Sequence, residues 1–349
     1  MAGSEVVARR RLADRAEPQA WGWLGAFLGL CVLLVGGMLA WWAAFGFWDT
    51  LFDPGELLGL SFDGRNHLTL AVLLAFVASG TVWVRRGVLR DIEILGELAG
   101  VPATEVEETA QRNVSPSAAA RGTALVLALL LAVVIIPLTG GRALDSFTGW
   151  DMHHVWAVAN NVAIFFLMFE GGWLSIQNLR TLHGYMTAHL SIDLLDRGSL
   201  ASIGRIGLRG AVLWLLGGTI ASTLTWGMAQ AAPVYVILIG LLAVATASLL
   251  LPALMARGSL REAKHSELER VRARITSARN ALLSGDGARA SEQAARMTGL
   301  LAYEARIESV REWPYDTPTL LRFGLLAGLA ASSWLGGALV ERALTALLD

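Results

Sequence analysis

Long apolar stretches, each about the length of a membrane-spanning helix, alternate along this chain with polar stretches rich in arginine. The hydrocarbon core of a bilayer requires roughly 20 apolar residues of helix to cross it. Seven stretches meet that requirement, so we predict an all-α, polytopic transmembrane helix bundle with seven spans. Their approximate bounds are 21–45, 66–84, 122–141, 155–176, 210–229, 233–255 and 319–340.

The remaining polar segments divide the chain around these spans. We expect residues 1–20 to form a basic tail, 21–257 a six-span bundle, 258–313 a helical hairpin, and 314–349 an elbow with the seventh span. The polar stretch before Trp21 is too long for the first region of a signal peptide, and no small-residue cleavage site follows it. The first span is therefore predicted to be retained.

The basic residues segregate to one side of the predicted membrane. Of the 28 arginines and lysines, 24 fall in the tail or in alternate loops, and the three loops between them hold only Arg65 and Arg142. Basic loops stay in the cytoplasm, so we predict a cytoplasmic N-terminus, an outside C-terminus and a cytoplasmic hairpin. Lys264 is the one lysine, a bias typical of GC-rich bacterial genes. The expected location is therefore the bacterial cytoplasmic (inner) membrane.

Composition narrows the classes of function. Hydrophobic residues make up 54% of the chain and charged residues 16%, whereas soluble domains carry about 25% charged residues. The net charge of −1 gives no reason to expect a nucleic-acid partner. The lipid bilayer is the expected surrounding. A single cysteine, Cys31, excludes a disulfide framework and a thiolate metal site.

Motifs of common enzyme families were sought along the whole chain. The phosphate-binding Walker A loop, the G-x-S-x-G motif and the H-E-x-x-H motif do not occur. Residues 107–112 match the E-E-x-x-x-R pattern of CAAX-type intramembrane proteases, but the companion histidine motifs of that family are missing. We therefore expect neither an enzyme nor a bound cofactor.

The polar segment between spans six and seven carries apolar residues at coiled-coil spacing on both sides of a glycine-containing turn at 284–287. This pattern predicts an antiparallel helical hairpin. The hairpin is either a stalk that packs on itself or a surface for subunit assembly, and spacing alone does not decide between them. The spaced residues are Leu268, Val271, Ile275, Ala278 and Leu282 in the first helix, and Leu300, Tyr303, Ile307 and Val310 in the second.

Two prolines mark the return of the chain into the membrane. Trp313 precedes Pro314, and a residue before proline avoids the α region, so the hairpin should end there. Thr317 followed by Pro318 suits an N-cap and a first helical position. With Asp316 between them, these residues predict a rigid elbow that would pass any movement of the hairpin to span seven.

Span seven carries small residues at every fourth position. Such spacing lets helix backbones approach closely. It indicates either tight packing inside the bundle or a helix that lines a path with little side-chain bulk. The residues are Gly324, Gly328, Ser332 and Gly336.

Span four holds a carboxylate at membrane depth. An intramembrane carboxylate is costly and usually faces a partner or a wet cavity. On a helix, Glu170 and Asn160 are separated by about 80°, so they are candidates to border one cavity. The alternative is that Glu170 extends towards the cytoplasmic end of the span and meets Arg180 or Arg322.

Asp151, His153 and His154 form a polar group beside the outer end of span four. A divalent cation site here requires a further ligand that the sequence does not identify. Adjacent histidines beside a tryptophan are also typical of a membrane interface. We therefore predict no metal site and keep these three residues only as weak candidates.

The C-terminal stretch resembles a group of uncharacterised bacterial polytopic membrane proteins. The resemblance lies in Glu-Trp-Pro-Tyr-Asp-Thr-Pro at 312–318, Arg-Phe at 322–323 and Ser-Trp-Leu-Gly-Gly at 333–337. It implies a seven-span protein and no particular activity. In topology alone, the chain is also similar to the insect odorant and gustatory receptor channels, whose last span lines a tetrameric pore. Their Tyr and Gln-Phe signature near that span is missing here, so no residue role is carried over.

Two functions remain as expectations. The first is an oligomeric channel or transporter, most simply a homo-oligomer, with span seven lining the path and the elbow coupling it to the hairpin. The alternative is a non-conducting membrane scaffold or sensor whose hairpin binds a cytoplasmic protein partner. The two differ in whether the small-residue face of span seven is wet or buried against helices.

Overall fold

The computed structural model describes residues 20–53, 59–98, 100–140, 152–188, 197–222, 232–284, 287–310, 313, 315, 318 and 320–332. These residues are helical almost throughout. The one departure towards extended pairing among them is an isolated antiparallel bridge between Phe52 and Leu60. The prediction of an all-α protein is therefore confirmed.

The described residues form helices of very different lengths. Two of them have 37 residues each, and one has 53. In chain order the helices are α1 (Ala20–Phe45), α2 (Trp48–Leu51), α3 (Phe62–Leu98), α4 (Ala103–Val114), α5 (Ala118–Gly140), α6 (Met152–Ala188), α7 (Arg197–Ser222), α8 (Ala232–Ser284), α9 (Gly287–Glu308) and α10 (Leu320–Ser332).

Five helical segments are long and apolar enough to cross a membrane, which indicates a membrane protein. They are Gly22–Phe45, Asp63–Gly96, Ala103–Val133, Val155–Tyr185 and Leu238–Leu283. Helices α7 and α10 correspond to the predicted spans five and seven, but they are described only as far as Ser222 and Ser332. The count of seven spans and the orientation stay predictions.

Helix α3 lies at the centre of the described bundle, since it contacts α1, α4, α6 and α7. Helix α5 packs on α6, and α8 packs along α7. Side chains that face away from these contacts are largely apolar, for example Leu28 and Val32 on α1 and Leu130 on α5. An apolar outer surface of this kind is expected where lipid takes the place of water.

The two ends of the bundle differ in chemistry. One end, which we call the aromatic end, buries Met38 and Trp42 beside Leu51, with Trp156 packed against them. Here Nδ1 of His67 donates a hydrogen bond of 2.7 Å to the Asp63 carbonyl oxygen, and its ring packs edge-to-face with Trp42. The other end carries the arginines of α3, α5 and α7. We call it the arginine-rich end and define it by Arg85, Arg86, Arg90, Arg121, Arg205 and Arg209.

The hairpin predicted between spans six and seven is present as the distal part of α8 together with α9. Its apolar stripe faces inwards: Val271 and Ile307 are 1% and 0% exposed. They belong to one cluster with Ile92 of α3, Val106 of α4 and Leu182 of α6. The stripe therefore packs the hairpin onto the arginine-rich end of the bundle, a partner that the sequence pattern did not identify.

Polar contacts fix the register of the hairpin. Arg272 of α8 holds Glu304 at 2.7 Å and Glu308 at 2.9 Å, both on α9. Lys264 donates to the carbonyl oxygens of Glu308 and Val310 at 2.9 Å, so it satisfies groups that the end of α9 leaves without a helical partner. These ion pairs and hydrogen bonds lie on the surface and set the alignment of the two helices, whereas the burial of apolar side chains stabilises their packing.

Candidate functional site

Glu170 lies where three helices meet at the arginine-rich end. It belongs to α6 and is 7% exposed. Its Oε1 is 2.5 Å from Nη2 of Arg85 on α3 and 3.6 Å from Nε of Arg121 on α5. Glu170 therefore meets arginines, as one of the two alternatives expected, but its partners among the described residues are Arg85 and Arg121 and not Arg180 or Arg322.

This arrangement, which we call the Glu170 triad, holds one carboxylate between two guanidinium groups. Removing a buried charge from its partner costs more than the pair itself contributes, so such a group stabilises one relative placement of its helices. The triad links α3, α5 and α6 without a fourth element. Glu170 also lines an open cleft of about 670 Å³ between α5 and α6, together with Phe169, Trp173 and Trp214.

Asn160 does not join Glu170 in this cleft. Its Nδ2 donates to the Trp156 carbonyl oxygen of its own helix at 2.9 Å, and Asn161 does the same with Ala157. The Oδ1 of Asn160 is buried and accepts no hydrogen bond from a described side chain or backbone group. The structure therefore places Asn160 and Glu170 at different levels of α6 with different neighbours.

The small-residue face of span seven points away from the described bundle. Phe323, Leu326 and Ala330 of α10 pack against α7 and α8. On the other side, Gly324 and Gly328 are exposed, and a Cβ added at either would have no neighbour within 4 Å. Ser332 is exposed as well and donates to the Leu329 carbonyl oxygen of its own helix. Gly336 lies outside the described residues.

The elbow is anchored by a residue to which the sequence analysis gave no role of its own. Tyr315 is 3% exposed, and its hydroxyl donates to the Leu249 carbonyl oxygen of α8 at 2.5 Å. Burial raises the pKa of Tyr315, so the phenol remains a neutral donor at physiological pH. The ring of Trp313 lies against Tyr315. Pro318 is helical, and Pro314, Asp316 and Thr317 lie outside the described residues.

Two features of neighbouring helices make room for Tyr315. A Cβ at Gly207 of α7 would collide with the tyrosine hydroxyl, so glycine is required there. Pro252 lies inside α8 and has no N–H to offer to the carbonyl four residues earlier, which loosens this turn. A tyrosine following Trp-Pro, together with a proline in the preceding span, was the available sequence signal.

A second buried ion pair, also missed by the sequence analysis, joins α3 to α7. Asp91 of α3 is 1% exposed, and its Oδ2 is 2.8 Å from Nη1 of Arg209 on α7. The guanidinium of Arg209 lies 5.6 Å from the ring centre of Trp83 and directly over Gly87, where a Cβ would overlap with it. The available signal for this pair was an aspartate that directly follows the arginines after predicted span two.

The weak metal candidates are only partly placed by the structure. His153 and His154 lie in the first turn of α6, and Asp151 lies outside the described residues. Among the described residues, no group of three histidine, cysteine, aspartate or glutamate side chains is arranged to hold a metal ion.

Comparison of the chain with protein-family models, with curated proteins and with solved structures finds no match. The site is therefore interpreted from its geometry alone.

Proposed function

We propose that the protein is a membrane-embedded homo-oligomer that conducts or transports ions or small solutes, with α10 lining the path. The observation that supports this proposal is that, among the described residues, α10 is covered on one face. Phe323, Leu326 and Ala330 bury one side against α7 and α8, and Gly324 and Gly328 stay open on the other. The same chain therefore supplies both an anchored face and a free one.

The chemistry of the free face favours contact with other copies or with a path. Lipid fills the space beside a helix best when large apolar side chains cover it, as Leu321, Leu325 and Leu329 do on the flank of α10. A glycine row adds little contact with lipid, but it allows close approach of a second backbone or leaves the bore of a ring of helices wide. The small residues thus fit a central position in an assembly.

In this proposal the Glu170 triad holds helices of the subunit in place and does not line the transport path. Glu170 sits on α6 with partners on α3 and α5, whereas α10 packs on α7 and α8. A carboxylate oxygen that already contacts two guanidinium groups is poorly placed to coordinate a transported cation in each cycle. We propose that Glu170 positions helices, and that transport does not require its charge.

The experiment is ion and solute flux through purified protein in liposomes. Wild type is compared with Gly328→Leu and with Gly29→Leu, a matched control in which the same change is made at an open glycine of α1. We expect wild type and Gly29→Leu to conduct and Gly328→Leu to lose most of the flux at equal protein incorporation. Equal flux in all three would exclude α10 as the lining.

Glu170→Gln tests the role given to the triad in the same assay. We expect a lower melting temperature but an unchanged flux per correctly folded protein. A full loss of flux with an unchanged melting temperature would show that transport requires Glu170.

A second candidate function is a non-conducting scaffold or sensor that binds a protein through its hairpin. The observation that favours it is the exposure of Leu283 and Leu301 on the hairpin, at 72% and 48%. Most of the apolar stripe is nevertheless used in packing on the bundle. Wild-type protein that is folded and oligomeric but silent to every ion tested would favour this alternative.

The location and orientation belong to the same proposal. Segregation of the arginines at one end of the described bundle, next to the hairpin, supports a bacterial cytoplasmic membrane with that end inside. Labelling of single cysteines introduced at Leu283 and at Phe52, both exposed, in protein whose Cys31 is replaced by serine would place the two ends on opposite sides of the membrane.

A further inference from the structure

A basic cleft opens between α1, α3 and α7 at the arginine-rich end. Its volume is about 410 Å³. Four arginines line it: Arg86 and Arg90 from α3, and Arg205 and Arg209 from α7. The Glu170 triad and the face of α10 lie elsewhere, so the function proposed above does not involve this cleft.

Helical spacing explains why the arginines converge. Ser79, Trp83, Arg86 and Arg90 are separated by four, three and four residues, which places them on one face of α3. On α7, Arg205, Leu208, Arg209 and Val212 follow the same rule. The two faces meet because Gly87 lets the guanidinium of Arg209 lie directly on the backbone of α3.

Two of the four arginines in the cleft have no ion-pair partner among the described residues. Asp91 binds Arg209 at 2.8 Å and also lies close enough to Arg90 and Arg205 to interact with them electrostatically. Arg86 is exposed, and within the described part of the chain neither Arg86 nor Arg90 forms an ion pair.

The walls of the cleft are apolar and aromatic. Val82 is 47% exposed, and Val212 faces it from α7. The rings of Trp23 and Trp83 lie 5.9 Å apart on α1 and α3. The Nε1 of Trp23 is buried and has no acceptor among the described residues. An indole at the boundary between apolar and polar layers is typical of the headgroup level of a bilayer.

We propose that this cleft binds the phosphate headgroup of an anionic phospholipid. Arg86 and Arg90 hold the phosphate, and Arg209 is kept in place by Asp91, Gly87 and Trp83. The acyl chains follow the apolar wall at Val82 along the outside of the bundle. Arginines between membrane helices, next to apolar walls and tryptophan, match the layered chemistry of such a lipid better than that of a small soluble anion.

The test measures lipid binding to purified full-length protein in a neutral detergent. Thermal stability and native mass spectrometry are recorded with phosphatidylglycerol or cardiolipin, with phosphatidylcholine, and with inorganic phosphate. The variant is Arg86→Gln with Arg90→Gln. Its matched control is Arg274→Gln with Arg279→Gln, which removes the same charge from exposed positions of the hairpin.

Wild type and the hairpin control should bind the anionic lipids at least tenfold more tightly than phosphatidylcholine. The cleft variant should lose most of this preference, since each arginine near a membrane surface contributes about fivefold in affinity. Its melting temperature in detergent without added lipid should equal that of wild type. Equal affinity of both double variants would overturn the proposal. Displacement of the lipid by millimolar inorganic phosphate would also overturn it, because the site would then recognise a soluble phosphate.

Discussion

The hairpin and α10 lie on either side of the elbow and use their periodic residues in opposite ways. In the hairpin, large side chains at coiled-coil spacing, such as Val271 and Ile307, are buried against α3, α4 and α6. In α10, the small residues Gly324 and Gly328 are left uncovered. The hairpin stripe therefore packs on its own chain, whereas the contact of α10 with another copy remains our proposal.

The largest loss of folding stability is expected when a charge is placed in the apolar stripe of the hairpin. Ile307→Asp puts a carboxylate at a position that is 0% exposed, and we expect a loss of about 4 kcal/mol or more of folding stability. Leu301→Asp, on the exposed side of the same helix, should change little. If thermal unfolding in detergent shows equal, small effects, the hairpin does not pack on the bundle.

The two faces of α10 are separated by a pair of substitutions to the same residue. Ala330→Leu overfills the buried face and should cost about 1–3 kcal/mol. Gly328→Leu should leave the free energy of unfolding of the subunit within about 0.5 kcal/mol of wild type while it changes the oligomer seen by native mass spectrometry. The opposite result for the pair would mean that the glycine face is the packed one.

The elbow connects the two regions, and Tyr315→Phe removes only its hydroxyl. Loss of the hydrogen bond to Leu249 should cost about 1 kcal/mol, and the buried ring keeps its packing. Gly207→Ala should cost more, because its methyl group would displace the ring itself. Denaturation curves of both variants, compared with that of a Trp313→Phe control, measure how much the Tyr315 contact contributes to the free energy of unfolding.

The smallest effect is expected at the surface of the hairpin. Arg272→Ala removes contacts with Glu304 and Glu308, but Arg272 is exposed to solvent and screened by salt. We expect a slightly lower melting temperature at low ionic strength and no difference at high ionic strength. A large decrease that persists in salt would show that these ion pairs do more than set the register.

Local sequence patterns predicted where helices form better than they predicted which helices pack together. Apolar length predicted the helices that became α1, α3, α5, α6 and α8. Of the hairpin residues at heptad spacing, Val271 and Ile307 are buried, whereas Tyr303 is exposed. The helices α3 and α6 extend well beyond the predicted spans, because polar residues past the bilayer continue the same helix. Periodicity describes one helix and does not say which other helix it meets.

The candidate site shows the same division. The cost of a charge at membrane depth singled out Glu170. Its partners, Arg85 and Arg121, are 85 and 49 residues away in the chain, and nothing local selects them over Arg180. Asp91 and Arg209 were missed because each looks like an ordinary member of a polar loop until the two helices are placed side by side.

Helix α8 runs without interruption from Ala232 to Ser284, which corresponds to a rod about 80 Å long. Pro252 divides it into an inner part beside α7 and an outer part that carries the hairpin. A change of 10° at that proline would move the far tip by about 8 Å, since about 48 Å of helix extends beyond it. Tyr315 binds α8 at Leu249, close to this proline, so its hydroxyl holds the elbow next to the position at which a bend in α8 would occur.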